Sequence, residues 1–229
     1  NDLAETKTVN TLFCMFDEYL EKEGLISHKG TIVDATFVDA PRQRNSRDEN
    51  KKIKNGEIPE EWEKPENKIK LAQKDIDADW TKKNGERHFG YKDHVKCDAD
   101  SKLITNYSVT SASVHDSQRC LVFIGQEDEV LYADSAYSGK PIALALPENC
   151  KNQICEKGYR NSPLTSEQKM NNRRKSRIRC RIEHIFGFMT GAMHGITIRS
   201  IGITRAWMNI GITNLVYNFC RYSYLKRAS

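Results

Sequence analysis

The chain has no run of about 18 apolar residues, so no transmembrane helix is expected. It also has no Cys-x-x-Cys pair. Its seven cysteines, at positions 14, 97, 120, 150, 155, 180 and 220, are scattered. Cys150 and Cys155 lack a paired-histidine spacing downstream, which argues against a structural zinc site. Reduced, mostly buried thiols in a cytosolic protein are expected instead. There is no initiator Met, and the opening residues NDLAETKTVN are polar. That composition argues against a secretory signal, and the missing Met predicts a fragment or processed product. No internal repeat is evident.

Acids are missing from one stretch in particular. Between Gln168 and Ile182 stand seven cations (Lys169, Arg173, Arg174, Lys175, Arg177, Arg179, Arg181) and no carboxylate. The overall balance is only mildly basic, with net charge +5 and pI about 8.7, so the distribution says more than the sum. Such a run is either a solvated helix face or the footprint of a phosphate-backbone binder.

What is present reads as one substantial domain: 229 residues, 38% apolar and 29% charged, enough for a full core. Residues 6–23 place Val9, Leu12, Phe13, Phe16 and Leu20 on one helical face, closed by Gly24. GTIVDATFVDAP is β-rich and ends at Pro41. Residues 42–76 are charged and aperiodic, predicting a long mobile loop or insertion. Asn84-Gly85 is a two-residue hairpin signal between DWTKK and ERHFGYKDHVKCD, and LITNYSVTSA follows as another strand. Residues 117–126 and 138–146 read as short helices flanking the buried strand EVLYAD, and NQICEK as a fifth strand. Thr165-x-x-Gln168 is a capping box that opens a long basic helix reaching Gly191. A short strand ITIRSI and a final helix over 204–226, apolar nearly all round and hence buried, complete the pattern. Antiparallel strands followed by alternating α and β predict a mixed α/β sheet with helices on its faces, in the order of the ribonuclease-H-like fold.

In that order Asp34, inside the first strand, and Asp134, ending the strand LYAD, fall on neighbouring strands, while Glu183 lies on the late helix. Carboxylates brought together repel one another unless a cation neutralises them. An oxygen-only set suits Mg²⁺ or Mn²⁺, and two ions roughly 3.5–4 Å apart suit phosphodiester displacement. Each residue also has a plainer role. Asp34 can satisfy a backbone N–H, Asp134 can cap the following helix, and Glu183 can pair with Arg179 at i, i+4.

The segments IVDATFVDAP, DADWTKKNGERHFGYKDHV, VTSASVHDSQ, LYADSAYSG and RCRIEHIFGFM run in order over residues 32–189, about two thirds of the chain. Together they resemble the DDE transposases of bacterial insertion sequences, most closely the insertion-sequence-five type. The resemblance implies a ribonuclease-H-like catalytic domain over 27–229, with an insertion at 42–76. Residues 1–26 would be the tail of an upstream DNA-binding region. It implies cleavage and joining of DNA at element ends, recognised as terminal inverted repeats, and transfer into target DNA. Mg²⁺ or Mn²⁺, two ions, would be held by Asp34, Asp134 and Glu183 as catalytic residues. A homodimer would assemble on DNA in the bacterial cytoplasm, at the nucleoid. Arg179 matches the arginine of the family's Y-x2-R-x3-E-x6-K signature, whereas its tyrosine and lysine positions hold Ser176 and Thr190. Ala136 stands where a glycine is frequent. Arg173, Arg174, Lys175, Arg177, Arg179 and Arg181 would grip DNA. A non-catalytic DNA-binding descendant and a nuclease that never joins strands are the alternatives.

His115, Asp116 and Tyr137 are expected around the site, with Asp116 capping the next helix as its plainer role. Asp93 and His94 read as solvent-facing strand residues. Trp80 reads as hairpin packing, with base stacking as the alternative, and Arg42, Arg44, Lys51 and Lys52 as a solvated or DNA-contacting arm.

Overall fold

The computed structural model describes residues 6–83 and 85–228. Six strands form one sheet: β1 (Thr31–Asp39), β2 (Asp79–Lys83), β3 (Glu86–Asp98), β4 (Ile104–Ser111), β5 (Val130–Ala133) and β6 (Lys151–Asn152). Its spine runs β4-β3-β1-β5-β6, with β2 paired to the first part of β3. β1, β3 and β4 are antiparallel, whereas β5 and β6 run parallel to β1. This is the mixed sheet expected from the sequence, and it has the ribonuclease-H-like arrangement.

Lys83 pairs with Glu86, as a two-residue connection requires; Asn84 lies outside the described residues. The segment NQICEK extends past β6, because the Gln153 and Cys155 amides donate to Leu131 and Ala133. ITIRSI contributes only a bridge between Thr197 and Asp39.

Helices cover both faces: α1 (Thr8–Lys22), α2 (Arg47–Lys54), α3 (Glu60–Glu63), α4 (Lys68–Ala72), α5 (Ser117–Phe123), α6 (Lys140–Ala145), α7 (Ser166–Arg179), α8 (Arg181–Gly191) and α9 (Ile203–Ala228). The main core joins Ile32, Val38, Tyr91 and Val95 of the sheet to Ile182, Ile185 and Met189 of α8 and to Ala206 and Ile210 of α9. A second cluster beneath α5 and α6 includes Val33, Leu131, Ala133 and Tyr137. α1 lies parallel to α9 at a constant offset: Phe16 meets Phe219, and the Tyr19 and Tyr222 hydroxyls are 2.8 Å apart, 203 residues apart in sequence.

Several expectations need correction. Residues 42–76 are not a bare loop. They carry α2, α3 and α4 around Trp62, which is 0% exposed and donates its indole N–H to Glu49 at 2.7 Å. Charge hid this small unit, because its one large anchor sits among lysines and glutamates. α9 is not buried all round: Ile212, Val216 and Phe219 are exposed, since only one side of that helix meets the sheet. The basic helix breaks at Cys180, where the Glu183 amide donates to the Cys180 carbonyl one residue short of the α-helical spacing. Asp93 and His94 are fully buried, because Asn214 of α9 donates to Asp93 and Thr110 of β4 bonds His94. Of the cysteines, only Cys97, Cys120 and Cys155 are buried; all seven are free thiols.

Candidate active site

β1 and β5 are parallel neighbours, and their last paired residues are Val33 and Ala133. Asp34 and Asp134 are the next residues on each strand, so both stand where the parallel ladder opens at its carboxyl end. In α/β sheets such an opening is where ligands bind. α8 buries Ile182, Ile185 and Met189 at i, i+3 and i+7, which turns Glu183 outward along the same opening.

Arg179 ties the elements together. Its Nη1 donates to Asp34 Oδ2 at 2.7 Å and its Nη2 to Glu183 Oε1 at 2.9 Å. Asp34 Oδ1 accepts the Ala35 amide at 2.8 Å. Asp134 accepts the Ser135 hydroxyl at 2.9 Å and the Ala136 amide at 3.1 Å. All three carboxylates therefore fill the plainer roles that local sequence allows, and two of them also share one guanidinium.

Their proton affinities diverge. Burial raises the Asp34 carboxyl above its ordinary value, against the Ala35 amide and Arg179 and with help from Asp134. Asp134 is also desolvated, yet the Ser135 hydroxyl, the Ala136 amide and Arg179 together hold it below its ordinary value. Two carboxylates driven in opposite directions are a mark of functional sites. Arg179 itself is desolvated, but Asp34, Glu183 and Asp134 outweigh this and raise its pKa.

Tyr137 follows Asp134 and is buried, and its hydroxyl has no hydrogen-bond partner. Burial and the negative charges of Asp34, Asp116 and Asp134 raise its pKa. Asp116 does not cap α5, having no side-chain cap bond there. It accepts Lys92 Nζ at 2.7 Å instead, since a largely buried ammonium is the stronger claimant. His115 is exposed and bonds Ser117.

The six cations of the basic run divide. Arg173, Arg174 and Arg177 are exposed. Lys175 is held by the Ile154 carbonyl at 2.9 Å and by Glu156. Arg181 donates to the Ala99 carbonyl at 2.7 Å and to Asp100. Lys169, Arg173 and Arg177 line one shallow cavity of about 630 Å³ along α7. Among the described residues, the one set of three metal-type side chains with all ligand atoms within 4.8 Å is His28, Glu127 and Asp128. There Asp128 pairs with Lys96 at 2.9 Å and His28 shares a hydrogen bond with Glu21 at 2.7 Å, so these side chains already have partners within the protein.

A ribonuclease-H-like sheet with two aspartates at its parallel opening and a glutamate on a late helix defines a nucleic-acid-processing class. The Transposase DDE domain family matches residues 26–219. The chain belongs to that family. It is 30% identical over 196 residues to the transposase for insertion sequence element IS1106 of Neisseria meningitidis serogroup B. The match covers 82% of this chain and 63% of that protein. No solved structure matches.

Proposed function

We propose that the chain is the catalytic domain of a DNA transposase of an insertion sequence. It hydrolyses a phosphodiester at an element end, and the freed 3′-hydroxyl then attacks a phosphodiester of target DNA and displaces a target 3′-hydroxyl; it works in the bacterial cytoplasm as a homodimer assembled on DNA. The observation that carries this reading is Arg179, whose two guanidinium nitrogens join Asp34 and Glu183 across the sheet opening.

The donor set fits a hard divalent cation. Three carboxylates supply only oxygen, and their combined charge already draws the half-buried Arg179 guanidinium among them. Asp34, Asp134 and Glu183 would hold Mg²⁺ or Mn²⁺, two ions in all. When bound, the metal supplies Lewis-acid stabilisation of the reacting phosphate and lowers the pKa of the attacking hydroxyl.

The chain's own residues supply position and field. The Ala35 amide fixes Asp34, and Ser135 and Ala136 fix Asp134, so neither carboxylate must reorganise when substrate arrives. Arg179 offers a planar fork suited to a phosphate oxygen, next to the two acids it orients. Arg173, Arg174 and Arg177, exposed on α7, grip the backbone that leads into the site.

The test is metal-dependent nicking and joining of DNA carrying the element's terminal inverted repeats. Asp34→Asn and Glu183→Gln should each lower both steps by ~100-fold or more, the scale on which catalytic site groups act. Undiminished cleavage in either variant would falsify the assignment. Cleavage without joining identifies a nuclease instead.

A further inference from the structure

The insertion and the β2–β3 hairpin enclose a cavity of about 460 Å³ that the reading above does not use. That volume lies within the ~300–1,000 Å³ span of small-ligand sites. Gln43, Asn45 and Asn50 line it from the insertion side, Trp80 and Lys82 from β2, and Arg87 from β3. No acid takes part in its wall.

The chemistry of that wall is selective. Asn45 donates to Asn50 Oδ1 at 3.3 Å and accepts Lys74 Nζ at 2.6 Å, which leaves the Asn50 Nδ2 and Gln43 amides to meet the edge of a nucleobase. Gln43 Oε1 is buried with no hydrogen-bond partner, which is costly unless a ligand supplies the donor. Trp80 packs on Phe89 at 5.0 Å between ring centroids, and the Arg42 guanidinium lies 5.9 Å from its ring. Aromatic and guanidinium planes are the surfaces on which unpaired bases stack. Lys82 and Arg87 are exposed cations at the rim, placed for a flanking phosphate.

The cavity also lies on the same face as the acidic site. Trp80 is paired with Phe89 and Asp34 with Val95, and Phe89 and Val95 belong to one core cluster against which Trp80 packs. Six residues along β3 separate those two partners, or roughly 20 Å. At the duplex rise of about 3.4 Å per nucleotide that is roughly six nucleotides of a paired strand running between the two.

We propose that this cavity takes one unpaired nucleobase of the DNA strand, about six nucleotides from the phosphate at Asp34. The base stacks on Trp80, its edge is read by Gln43 and Asn50, and Lys82 and Arg87 hold the adjoining phosphate. The proposal rests on the DNA reading above and adds a subsite to it.

The experiment compares three dye-labelled probes by fluorescence anisotropy: an oligothymidylate, a strand of the same length and charge made of abasic sites, and a duplex. The wild-type chain should bind oligothymidylate more tightly than the abasic strand. Trp80→Ala should erase most of that preference, weakening oligothymidylate binding ~10-fold or more, with abasic and duplex binding unchanged. Because Trp80 also packs on Phe89, Asn50→Ala serves as a second variant, which removes a cavity amide together with its long 3.3 Å bond from Asn45. It should weaken oligothymidylate binding in the same selective way. Equal wild-type affinity for the two single strands overturns the subsite, as does unchanged binding in both variants. A chain that binds none of the three probes overturns the DNA reading itself.

Discussion

Arg179 donates to Asp34 at 2.7 Å across a gap of 145 residues, which ties the end of the basic helix to the first strand. Because the same guanidinium also reaches Glu183, its removal separates two carboxylates at once. Arg179→Ala should lower end cleavage by ~10–100-fold, the scale for groups that orient metal ligands. Arg179→Lys should recover little, since an ammonium cannot span both acids. Titration of Mn²⁺ binding by calorimetry at fixed pH provides a readout that does not depend on turnover. Affinity equal to wild type in Arg179→Ala would refute the orienting role.

The two halves of the basic run should behave differently. Arg173→Ala and Arg177→Ala should each reduce the salt slope of duplex binding by about 1 while leaving the melting temperature in place. Lys175→Ala and Arg181→Ala lose bonds to the Ile154 and Ala99 carbonyls and should lower stability instead. Salt-dependent binding and thermal melts on the four variants check the division, and a uniform response would contradict it.

Asp17 on α1 is pushed up to about 7 from its ordinary 3.8, by burial first and then by Glu21, against Lys96 and His28. Between those values the folded state holds the proton more tightly than the unfolded chain. Stability from this group therefore falls as pH rises from about 4 through about 7, and is level above. Asp17→Asn should match wild type near pH 4 and melt a few degrees higher near pH 8. Thermal melts across that window test the sign; parallel curves would show that Asp17 is not the group responsible.

Trp62→Ala should release the insertion. A fully buried tryptophan contributes about 3–5 kcal/mol, more than α2, α3 and α4 can replace with exposed charge. Limited proteolysis should then cut within residues 42–76 while β1, β3 and β4 stay protected. Unchanged resistance there would mean that the small helices stand without their anchor.

Asp116→Ala should destabilise by about 3 kcal/mol, because it leaves the Lys92 ammonium largely buried and unpaired. Replacing both partners by apolar residues should restore much of the loss. Urea denaturation of the single and double variants measures it, and additive losses would exclude the pairing.

Much of this was readable in the sequence where local pattern and global fold agree. The order of elements along the chain and the capping box at Thr165 follow from periodicity and turn chemistry, and the capping bonds are present; that Asp34 and Asp134 fall on neighbouring strands followed from the likeness of that order to the ribonuclease-H-like fold. The insertion was not readable, because a unit organised by one tryptophan has no periodicity to detect. Asp93 and His94 were misjudged because burial of a polar strand residue depends on Asn214 and Thr110, which arrive from distant chain. Lys175 and Arg181 could not be told from Arg173 and Arg177, since a carbonyl partner leaves no trace in composition.

The side-by-side pairing of α1 with α9 sets a clock on the protein. Phe13 and Asn10 can settle on Tyr107 of β4, but Phe16 waits for Phe219 and Tyr19 for Tyr222, so this side of α1 is completed only when α9 has been made. Contacts this distant make folding slow relative to local helix formation. A chain cut short before residue 219 would keep α1 but lose the partners of Phe16 and Tyr19.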